Sequence, residues 1–176
     1  MQFGDLNFQL VTEATELVAK PTQQNIKELG LDEVWAAEID ETLSDTANFC
    51  ERYHIERNVS ANCVIVEAKR ASTVRYAACI ILATTKADVN GAIRRHLDAR
   101  SVSFAPIEIA TSLTHMEYGG ITPVGLPVGW PILIDSNVNM TKTIIIGSGL
   151  RKSKLLVPGS LLATLPEAVV LDIAKR

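Results

Sequence analysis

The stretch MEYGGITPVGLP, residues 116–127, places three glycines and two prolines in twelve positions, just before the strand-like run PILID at residues 131–135. The adjacent Gly119 and Gly120 allow backbone N–H groups to approach a ligand without a side chain in the way, and Pro123 fixes the direction in which the chain leaves. Two interpretations follow. The stretch is either a tight structural turn or a backbone clamp for a carbonyl or a small amino-acid group.

A second glycine-rich stretch, GSGLRKSK at residues 147–154, follows an apolar run. A Gly-x-Gly turn after a buried strand can form a concave anion site of backbone amides, and Arg151, Lys152 and Lys154 add positive charge beside it. Phosphate is the natural ligand of such a turn. The stretch lacks the Gly-Lys-Ser/Thr ending of a nucleotide-binding P-loop, so hydrolysis of ATP or GTP is not indicated. A solvated basic hairpin is the alternative interpretation.

The pattern of apolar residues predicts short strands with helices at irregular intervals, which is typical of a mixed α/β or α+β fold. Helices are predicted at residues 8–20, 45–55, 88–97, 106–113 and 158–165, and strands at 63–68, 77–83, 132–135, 143–146, 154–157 and 169–171. Pro21 is expected to end the first helix and Pro106 to begin the fourth. Ser44 and Asp45 are both good caps for the start of the second helix, and Asp88 is expected to cap the third.

The chain as a whole has the composition of an ordinary globular domain. Its 176 residues, 47% hydrophobic and 21% charged, fit a single core. The N-terminal stretch carries acids where a secretory signal carries bases, and no apolar run is long enough to span a bilayer, so we expect a cytoplasmic protein with no membrane contact. The net charge of −3 argues against a broad electropositive surface and leaves only local contacts with nucleic acid.

No nucleophile or metal site is indicated by the sequence. The three histidines lie far apart without metal-ligand spacing, and the Gly-x-Ser-x-Gly motif of many serine hydrolases does not occur. Cys50, Cys63 and Cys79 are widely spaced in apolar sequence, so we expect them to be reduced and buried. We therefore expect neither a metal nor a cofactor.

Several blocks, taken in order, resemble one known family. The blocks GGITPVG (119–125), PILID (131–135), GSG with Arg151 (147–151), and LVP followed by two leucines (156–162) are similar in order and spacing to the C-terminal half of the YbaK and prolyl-tRNA-synthetase editing-domain family. The predicted helix containing Phe49 and Cys50, with the strand that follows it, is similar to the N-terminal half. The resemblance covers residues 31–173, and its most specific part is the first glycine-rich block.

The resemblance implies a fold, an activity and partners. The fold is a mixed, barrel-like β-sheet with flanking helices at residues 31–176, preceded by an N-terminal helical extension at residues 1–30. Members of the family are aminoacyl-tRNA deacylases whose pocket receives the aminoacyl-adenosine end of a mischarged tRNA. The implied partners are the acceptor end of aminoacylated tRNA and, in addition, an aminoacyl-tRNA synthetase. The oligomeric state is left open.

The resemblance also assigns site residues. The family has a lysine at the start of the strand where this chain has Asn62, and Lys69, at the other end of that strand, is a candidate cation. The implied catalytic residues are Asn62, Lys69 and Gly120. The implied substrate-binding residues are Cys63, Gly119, Gly120, Ile121, Thr122, Pro123, Gly125, Gly147, Ser148, Gly149 and Arg151.

Two functional hypotheses follow from Asn62. In the first, the protein is a freestanding deacylase that hydrolyses the ester of a mischarged tRNA carrying a small amino acid, with backbone donors and another cation in place of the family lysine. In the second, it is a non-catalytic module that binds an aminoacyl-adenosine, an amino acid or a protein and has lost the chemistry along with the lysine, because an asparagine carries no charge.

Overall fold

The computed structural model of the protein describes residues 1–175, which are built mainly from strands. The strands are β1 (Gln2–Phe3), β2 (Leu6–Asn7), β3 (Gln9–Leu10), β4 (Trp35–Glu38), β5 (Ala61–Arg70), β6 (Thr73–Leu82), β7 (Lys86–Ala87), β8 (Ser101–Phe104), β9 (Ile132–Asp135), β10 (Ile144–Gly147), β11 (Ser153–Val157), β12 (Ala168–Leu171) and β13 (Ala174–Lys175). The α-helices are α1 (Lys20–Leu29), α2 (Thr46–Arg52), α3 (Arg94–His96), α4 (Ile107–Thr114) and α5 (Ser136–Met140). None of the helices in residues 1–175 has the length and hydropathy needed to cross a membrane.

A five-stranded sheet with the order β12-β9-β6-β5-β8 contains the longest strands. Its β12, β9 and β6 run parallel, whereas β6, β5 and β8 are antiparallel neighbours. Side chains along a strand alternate between faces, so Ile80 enters the main core on one face while Cys79 and Ile81 join a second core on the other. The sheet is therefore covered on both faces.

A four-stranded antiparallel sheet with the order β10-β11-β4-β3 lies beside it. The two sheets meet at a parallel bridge between Ser60, which precedes β5, and Ile145 of β10. The predicted mixed sheet with flanking helices is confirmed, but its barrel-like form needs correction. Within residues 1–175 the strands form separate sheets that meet at this bridge and do not close into a barrel.

The first predicted helix is wrong. Residues 9–10 form β3, and the following residues form two short 3₁₀ turns that bury Val11 and Leu17. The α-helix begins instead at Lys20, with Pro21 in its first turn, where a fixed φ and a missing N–H are tolerated. Helix α1 buries only Thr22 and Ile26, so its hydrophobic period is weak in the sequence. The assignment of residues 1–30 as a separate extension stays a prediction.

The other predicted elements are confirmed to within a few residues, with differences at their ends. Asp45 caps α2, and its carboxylate accepts hydrogen bonds from the N–H groups of the second and third helical residues. Asp88 caps the third helix, whose first turn, Val89–Ile93, is π-helical. Pro106 is the residue before α4 rather than its first residue. The apolar pattern does not predict β4 or β8, since their sequences, WAAE and SVSF, contain no run of large apolar residues.

Asp135 connects the end of β9 to the C-terminal part of the chain. Its side chain is buried and caps α5, because Oδ1 accepts hydrogen bonds from the backbone and side-chain N–H groups of Asn137. Oδ2 accepts hydrogen bonds from the backbone N–H groups of Ile173 and Ala174 at 3.1 and 3.0 Å. One buried carboxylate therefore holds both a helix start and the strand that follows β12.

The two glycine-rich stretches pack directly against each other. Gly149 N–H donates to Gly120 O at 2.6 Å, and Glu117 N–H donates to Gly149 O at 2.9 Å. A Cβ on Gly120 would lie 2.4 Å from Leu150 O, and one on Gly147 would lie 2.3 Å from Gly120 O. Glycine is therefore required at both positions, because the main chains of the two stretches are in direct contact and leave no room for a side chain.

Gly147→Ala is expected to lower the free energy of unfolding by about 2–3 kcal/mol, because the added methyl group would overlap two carbonyl oxygens of the first glycine-rich stretch. Gly129→Ala is the control, since its φ is +82° but nothing lies within 4 Å of the added Cβ. It should cost only about 1–2 kcal/mol of backbone strain. Urea denaturation of both variants measures the difference, and equal losses would contradict the close packing of the two loops.

Candidate functional site

A cavity of about 490 Å³ lies where the two main sheets meet. Its wall combines the segment around the start of α2, the first half of β5, the end of β8 with the start of α4, the first glycine-rich stretch, and the β10–β11 hairpin. The residues that line it are Thr42, Ser44, Asp45, Thr46, Ala61, Asn62, Cys63, Val64, Ile65, Phe104, Ala105, Ile107, Ala110, Tyr118, Gly119, Ile121, Gly147, Arg151 and Lys154.

Three strands place Asn62, Gly147 and Lys154 side by side on this wall. Lys154 of β11 is the direct partner of Gly147 in β10. Asn62 and Gly147 each lie two residues beyond the bridge between Ser60 and Ile145, so alternation puts them on the same face of their strands. Adjacent strands are about 4.8 Å apart, which puts the chain at Asn62 roughly 10 Å from that at Lys154. The residue between them has no side chain, and the carbonyl oxygens of Gly120 and Ile121 lie over it, 2.3 and 2.5 Å from the position that a Cβ would take.

Asn62 offers a hydrogen-bond donor to this space. Its Oδ1 accepts a hydrogen bond from Thr46 Oγ1 at 2.6 Å, and Thr46 is the first residue of α2. Within residues 1–175 its amide NH₂ group has no protein acceptor, so both of its N–H donors are available to a ligand oxygen. Helix α2 thus sets the orientation of the Asn62 side chain.

Lys154 is the buried cation of the wall. It is 7% exposed, its Nζ donates to Ser44 O at 3.2 Å, and the ammonium lies 5.3 Å from the centre of the Phe49 ring. Among residues 1–175 no carboxylate lies within 4 Å of Nζ. Burial lowers the pKa of Lys154 from 10.5 to about 8; Arg151 also lowers this pKa, whereas Cys50 and Asp45 oppose the shift.

Arg151 lies at the rim and holds two segments together. Its Nη1 donates to Tyr118 O at 3.0 Å and its Nη2 to Glu41 O at 3.3 Å, while its backbone N–H donates to Glu117 Oε2 at 2.6 Å. The guanidinium also lies 6.0 Å from the centre of the Tyr118 ring. Arg151 therefore carries its charge at the mouth of the cavity, with part of its donors already engaged.

Cys63 lies on the wall but is a poor nucleophile. Burial, with a smaller contribution from Cys79, raises the pKa of the Cys63 thiol far above its ordinary value. The thiolate that would attack a carbonyl is therefore scarce at neutral pH. Residues 1–175 also contain no cluster of three or more His, Cys, Asp and Glu side chains that could hold a metal ion. The chemistry available on the wall comes from hydrogen-bond donors and two cations.

The structure brings together only some of the residues that the sequence assigned to the site. Asn62, Cys63, Gly119, Ile121, Gly147 and Arg151 line the cavity, whereas Gly120, Thr122, Pro123, Gly125, Ser148, Gly149 and Lys69 do not. Lys69 lies seven residues along β5 from Asn62, about 23 Å on an extended strand, and its Nζ pairs with Glu67 Oε1 at 2.7 Å.

The second glycine-rich stretch has few free amides for an anion. Gly149 N–H donates to Gly120 O, Leu150 N–H to Ser148 Oγ, and Arg151 N–H to the carboxylate of Glu117. Ser148 is fully buried, and its Oγ lies 2.7 Å from Ser153 Oγ. The backbone donors that could form a phosphate nest are therefore used within the protein.

The sequence contains little or no sign of three residues on the wall. It indicated Lys154 only as one of three basic residues beside a possible phosphate-binding turn, and the burial of Lys154 follows from the register of β11 against β10. Phe104 and Tyr118 are 60% and 57% exposed at the cavity. The only sequence signal for Phe104 is its own position, since it is an aromatic residue just before a predicted helix start.

Lys154→Met should make the stability of the protein less dependent on pH. The unfolded lysine keeps its proton up to about pH 10.5 while the folded one releases it near pH 8, so the wild type gains stability as pH rises through this window. The gain is on the order of 3 kcal/mol. Urea denaturation from pH 7 to 10.5 should show it in the wild type and in Lys86→Met, which removes an exposed lysine, but not in Lys154→Met. Equal dependence of the free energy of unfolding on pH in all three proteins would contradict a lowered pKa of Lys154.

The fold is similar to that of three solved structures of low sequence identity. One, provisionally described as a trans-editing enzyme for prolyl tRNA synthetase, has 15% identity and a TM-score of 0.76, with 89% of this chain and 96% of that chain covered. A hypothetical protein has 19% identity and a TM-score of 0.78, with 89% and 100% covered. A scaffold from the design of epitope presentation has 15% identity and a TM-score of 0.77, with 90% and 97% covered. None of the curated proteins compared matches the chain in sequence.

Residues 40–165 match the sequence family described as the aminoacyl-tRNA editing domain. This segment is more than half of the 176 residues, and it contains every residue that lines the cavity, from Thr42 to Lys154. The chain therefore belongs to the aminoacyl-tRNA editing domain family.

Proposed function

We propose that the protein is a deacylase that acts in trans on mischarged tRNA and hydrolyses the ester that joins a small amino acid to the terminal ribose. The observation that carries the proposal is the cavity itself, because all of its lining lies within the segment that matches the editing-domain family. The similarity in fold to a protein provisionally described as a trans-editing enzyme for prolyl tRNA synthetase supports the same activity. The reaction would take place in the cytoplasm, in functional relation to an aminoacyl-tRNA synthetase.

The size and lining of the cavity suit an aminoacyl-adenosine. A volume of about 490 Å³ lies within the range of sites for small molecules. Ala61, Val64, Ile65 and Ala110 supply apolar surface for a short side chain, while Asn62 and other polar groups supply directional contacts. Alanine, serine and cysteine differ in the hydrogen, hydroxyl or thiol group on the β-carbon, and an apolar surface discriminates against an added hydroxyl group by only about 100-fold.

The mouth of the cavity suits the end of an RNA strand. Phe104 and Tyr118 are exposed aromatic side chains on which unpaired bases can stack, and Arg151 adds a charge for a phosphate group. The protein has a net charge of −3, so it has no broad field to attract the rest of the tRNA. Recognition would therefore concentrate on the acceptor end, with few phosphate contacts and a shallow salt dependence.

Hydrolysis consumes one water and needs no other reactant. The water oxygen attacks the ester carbonyl carbon, and the carbonyl oxygen takes up the electron pair of the π bond. The tetrahedral intermediate then breaks its bond to the ribose oxygen, which takes a proton that the water supplied. The products are the free amino acid and tRNA with its terminal hydroxyl group restored. The donors on the wall would orient the ester, and the raised thiol pKa of Cys63 disfavours a covalent thioester route.

A second candidate function is a non-catalytic binding module, which the neutral Asn62 favours. Asn62 can hold a carbonyl or phosphate oxygen through its free amide group without supplying charge. Such a module would bind an aminoacyl-adenosine, an amino acid or a protein and release it unchanged. Hydrolysis of charged tRNA by the protein distinguishes the two functions, because only the deacylase releases the amino acid.

The purified protein is expected to deacylate at least one of Ala-, Ser- and Cys-charged tRNA at low salt, measured by release of labelled amino acid. Ala105→Trp, which adds a large side chain to the wall, should lower kcat/KM at least about tenfold by displacing the ester. Val128→Trp, which adds the same side chain at a fully exposed position off the cavity, should stay within about twofold of the wild type.

The outcome that overturns the deacylase is an absence of release from any charged tRNA in the panel. Binding of the same tRNAs without release would then establish the binding module. A substitution at Gly120 cannot be used to fill the cavity in place of Ala105→Trp, because a Cβ there would lie 2.4 Å from Leu150 O and would disturb the fold.

Phe104→Ala and Tyr118→Ala are each expected to raise KM for the charged tRNA by about fivefold or more, since stacking on an aromatic side chain is worth about 1–3 kcal/mol per base. Val128→Ala, at an exposed apolar position off the cavity, serves as the control and should leave KM unchanged. Steady-state deacylation at fixed salt measures all three. An unchanged KM in both aromatic variants would show that the bases do not stack at this mouth.

A further inference from the structure

Lys154 differs from the other charged side chains on the cavity wall in its burial. Asp45 is exposed and uses its carboxylate to cap α2, and Arg151 is half-buried at the rim and bound to two carbonyl oxygens. Lys154 is 7% exposed and belongs to strand β11, where its neighbours Leu155 and Leu156 are fully buried. A lysine at such a position costs stability, so its presence calls for a reason other than packing.

The surroundings of the Lys154 ammonium leave it available to a ligand. An ammonium group has three N–H donors, and within residues 1–175 the only acceptor for them is Ser44 O. The ring of Phe49 contributes a weak attraction to the cation. The other ionisable groups that face it are Asp45 and Cys50 from the α2 segment and Arg151 from the β10–β11 hairpin. No carboxylate among these residues pairs with it, so its positive charge and two of its N–H donors have no protein partner there, and the residue lines the cavity.

The ligand that best satisfies such a group is an oxygen that carries or develops negative charge. In a low-dielectric cavity a fixed cation stabilises that charge far more than water does. The ester of an aminoacyl-tRNA provides one such oxygen, because its carbonyl oxygen becomes an oxyanion when water attacks. Asn62 lines the same cavity and offers further N–H donors to the substrate.

We propose that Lys154 is a catalytic residue that binds the carbonyl oxygen of the scissile ester and stabilises the oxyanion of the tetrahedral intermediate. This inference rests on the proposed deacylase function. The N–H donors of Lys154 keep their protons throughout the step. Water supplies the oxygen of the new carboxyl group and the proton of the departing ribose hydroxyl, and the electron pair on the oxyanion reforms the carbonyl bond as the ester bond breaks.

Other cations near the site fit this role less well. Lys69 lies about 23 Å along β5 from Asn62 and is paired with Glu67. Arg151 holds the Tyr118 and Glu41 carbonyl groups together at the mouth, so its movement toward the ester would break both contacts. The buried position of Lys154 also excludes water, which strengthens its interaction with a developing charge.

The test compares Lys154→Met, Lys154→Gln and Lys154→Arg with the control Lys86→Met in deacylation of the tRNA that the wild type hydrolyses best. Lys154→Met and Lys154→Gln should lower kcat by about 100-fold or more with a smaller change in KM, because the lost interaction forms mainly in the transition state. Both should melt no lower than the wild type, since a buried charge without a carboxylate partner has been removed. Lys86→Met should match the wild type.

The pH profile supplies a readout that a structural role would not change. In the wild type, kcat/KM should fall above about pH 8 as Lys154 loses its proton. Lys154→Arg should keep part of the activity without this alkaline decline, because a guanidinium stays protonated. The α-amino group of the substrate titrates equally with both enzymes. A difference between their profiles of kcat/KM against pH is therefore caused by the side chain at position 154.

The outcomes separate this inference from the proposed function. A wild type that hydrolyses no charged tRNA overturns the deacylase and, with it, the role of Lys154. A wild type that hydrolyses its substrate while Lys154→Met and Lys154→Gln stay within threefold of it overturns only the role of Lys154. Large losses in kcat in both variants at unchanged melting temperature, together with the altered pH profile of Lys154→Arg, establish it.

Discussion

The hydrogen bond from Gly149 N–H to Gly120 O joins the two glycine-rich stretches, and the geometry of the cavity depends on it. Because Gly147 and Gly120 lack side chains, the first stretch can lie against the end of β10 and bring Gly119 and Ile121 to the wall. The same contact directs the β10–β11 hairpin so that Arg151 reaches the rim and Lys154 the interior. The glycines thus shape the site through main-chain packing between two loops, whether or not any of their amides contacts a ligand.

The cavity combines elements that are distant in sequence and differ in rigidity. Strands β10 and β11 are paired with each other, and the bridge between Ile145 and Ser60 joins β10 to the residue before β5, which fixes the relative positions of Asn62 and Lys154. The aromatic mouth lies instead on the end of β8 and on a loop, where side chains can adapt to a flexible RNA end. A rigid interior with an adaptable entrance suits a substrate whose reacting bond needs accurate placement and whose remainder does not.

Sequence patterns predicted the strands with long apolar runs well, because burial on both faces of β6 and β9 leaves continuous apolar runs in the sequence. They failed at α1, where a polar helix begins at Lys20 and buries only two side chains. For the site, the glycine-rich blocks pointed to the right region, and Asn62 lies on the wall. Lys154 was indicated only as one of three cations beside a possible phosphate-binding turn, and its burial could not be predicted, since it depends on pairing with Gly147 in a neighbouring strand and on Phe49 from a distant helix.

Asp135 couples the C-terminal strand of the described structure to the start of α5. Its Oδ2 accepts the N–H groups of Ile173 and Ala174, and its Oδ1 accepts both N–H groups of Asn137. Separation of β13 from β7 that carried Ile173 and Ala174 away would leave a buried carboxylate short of donors, at a cost of about 1–3 kcal/mol or more. Local opening of this strand should therefore loosen the start of α5 as well, so that the two segments open as one cooperative unit.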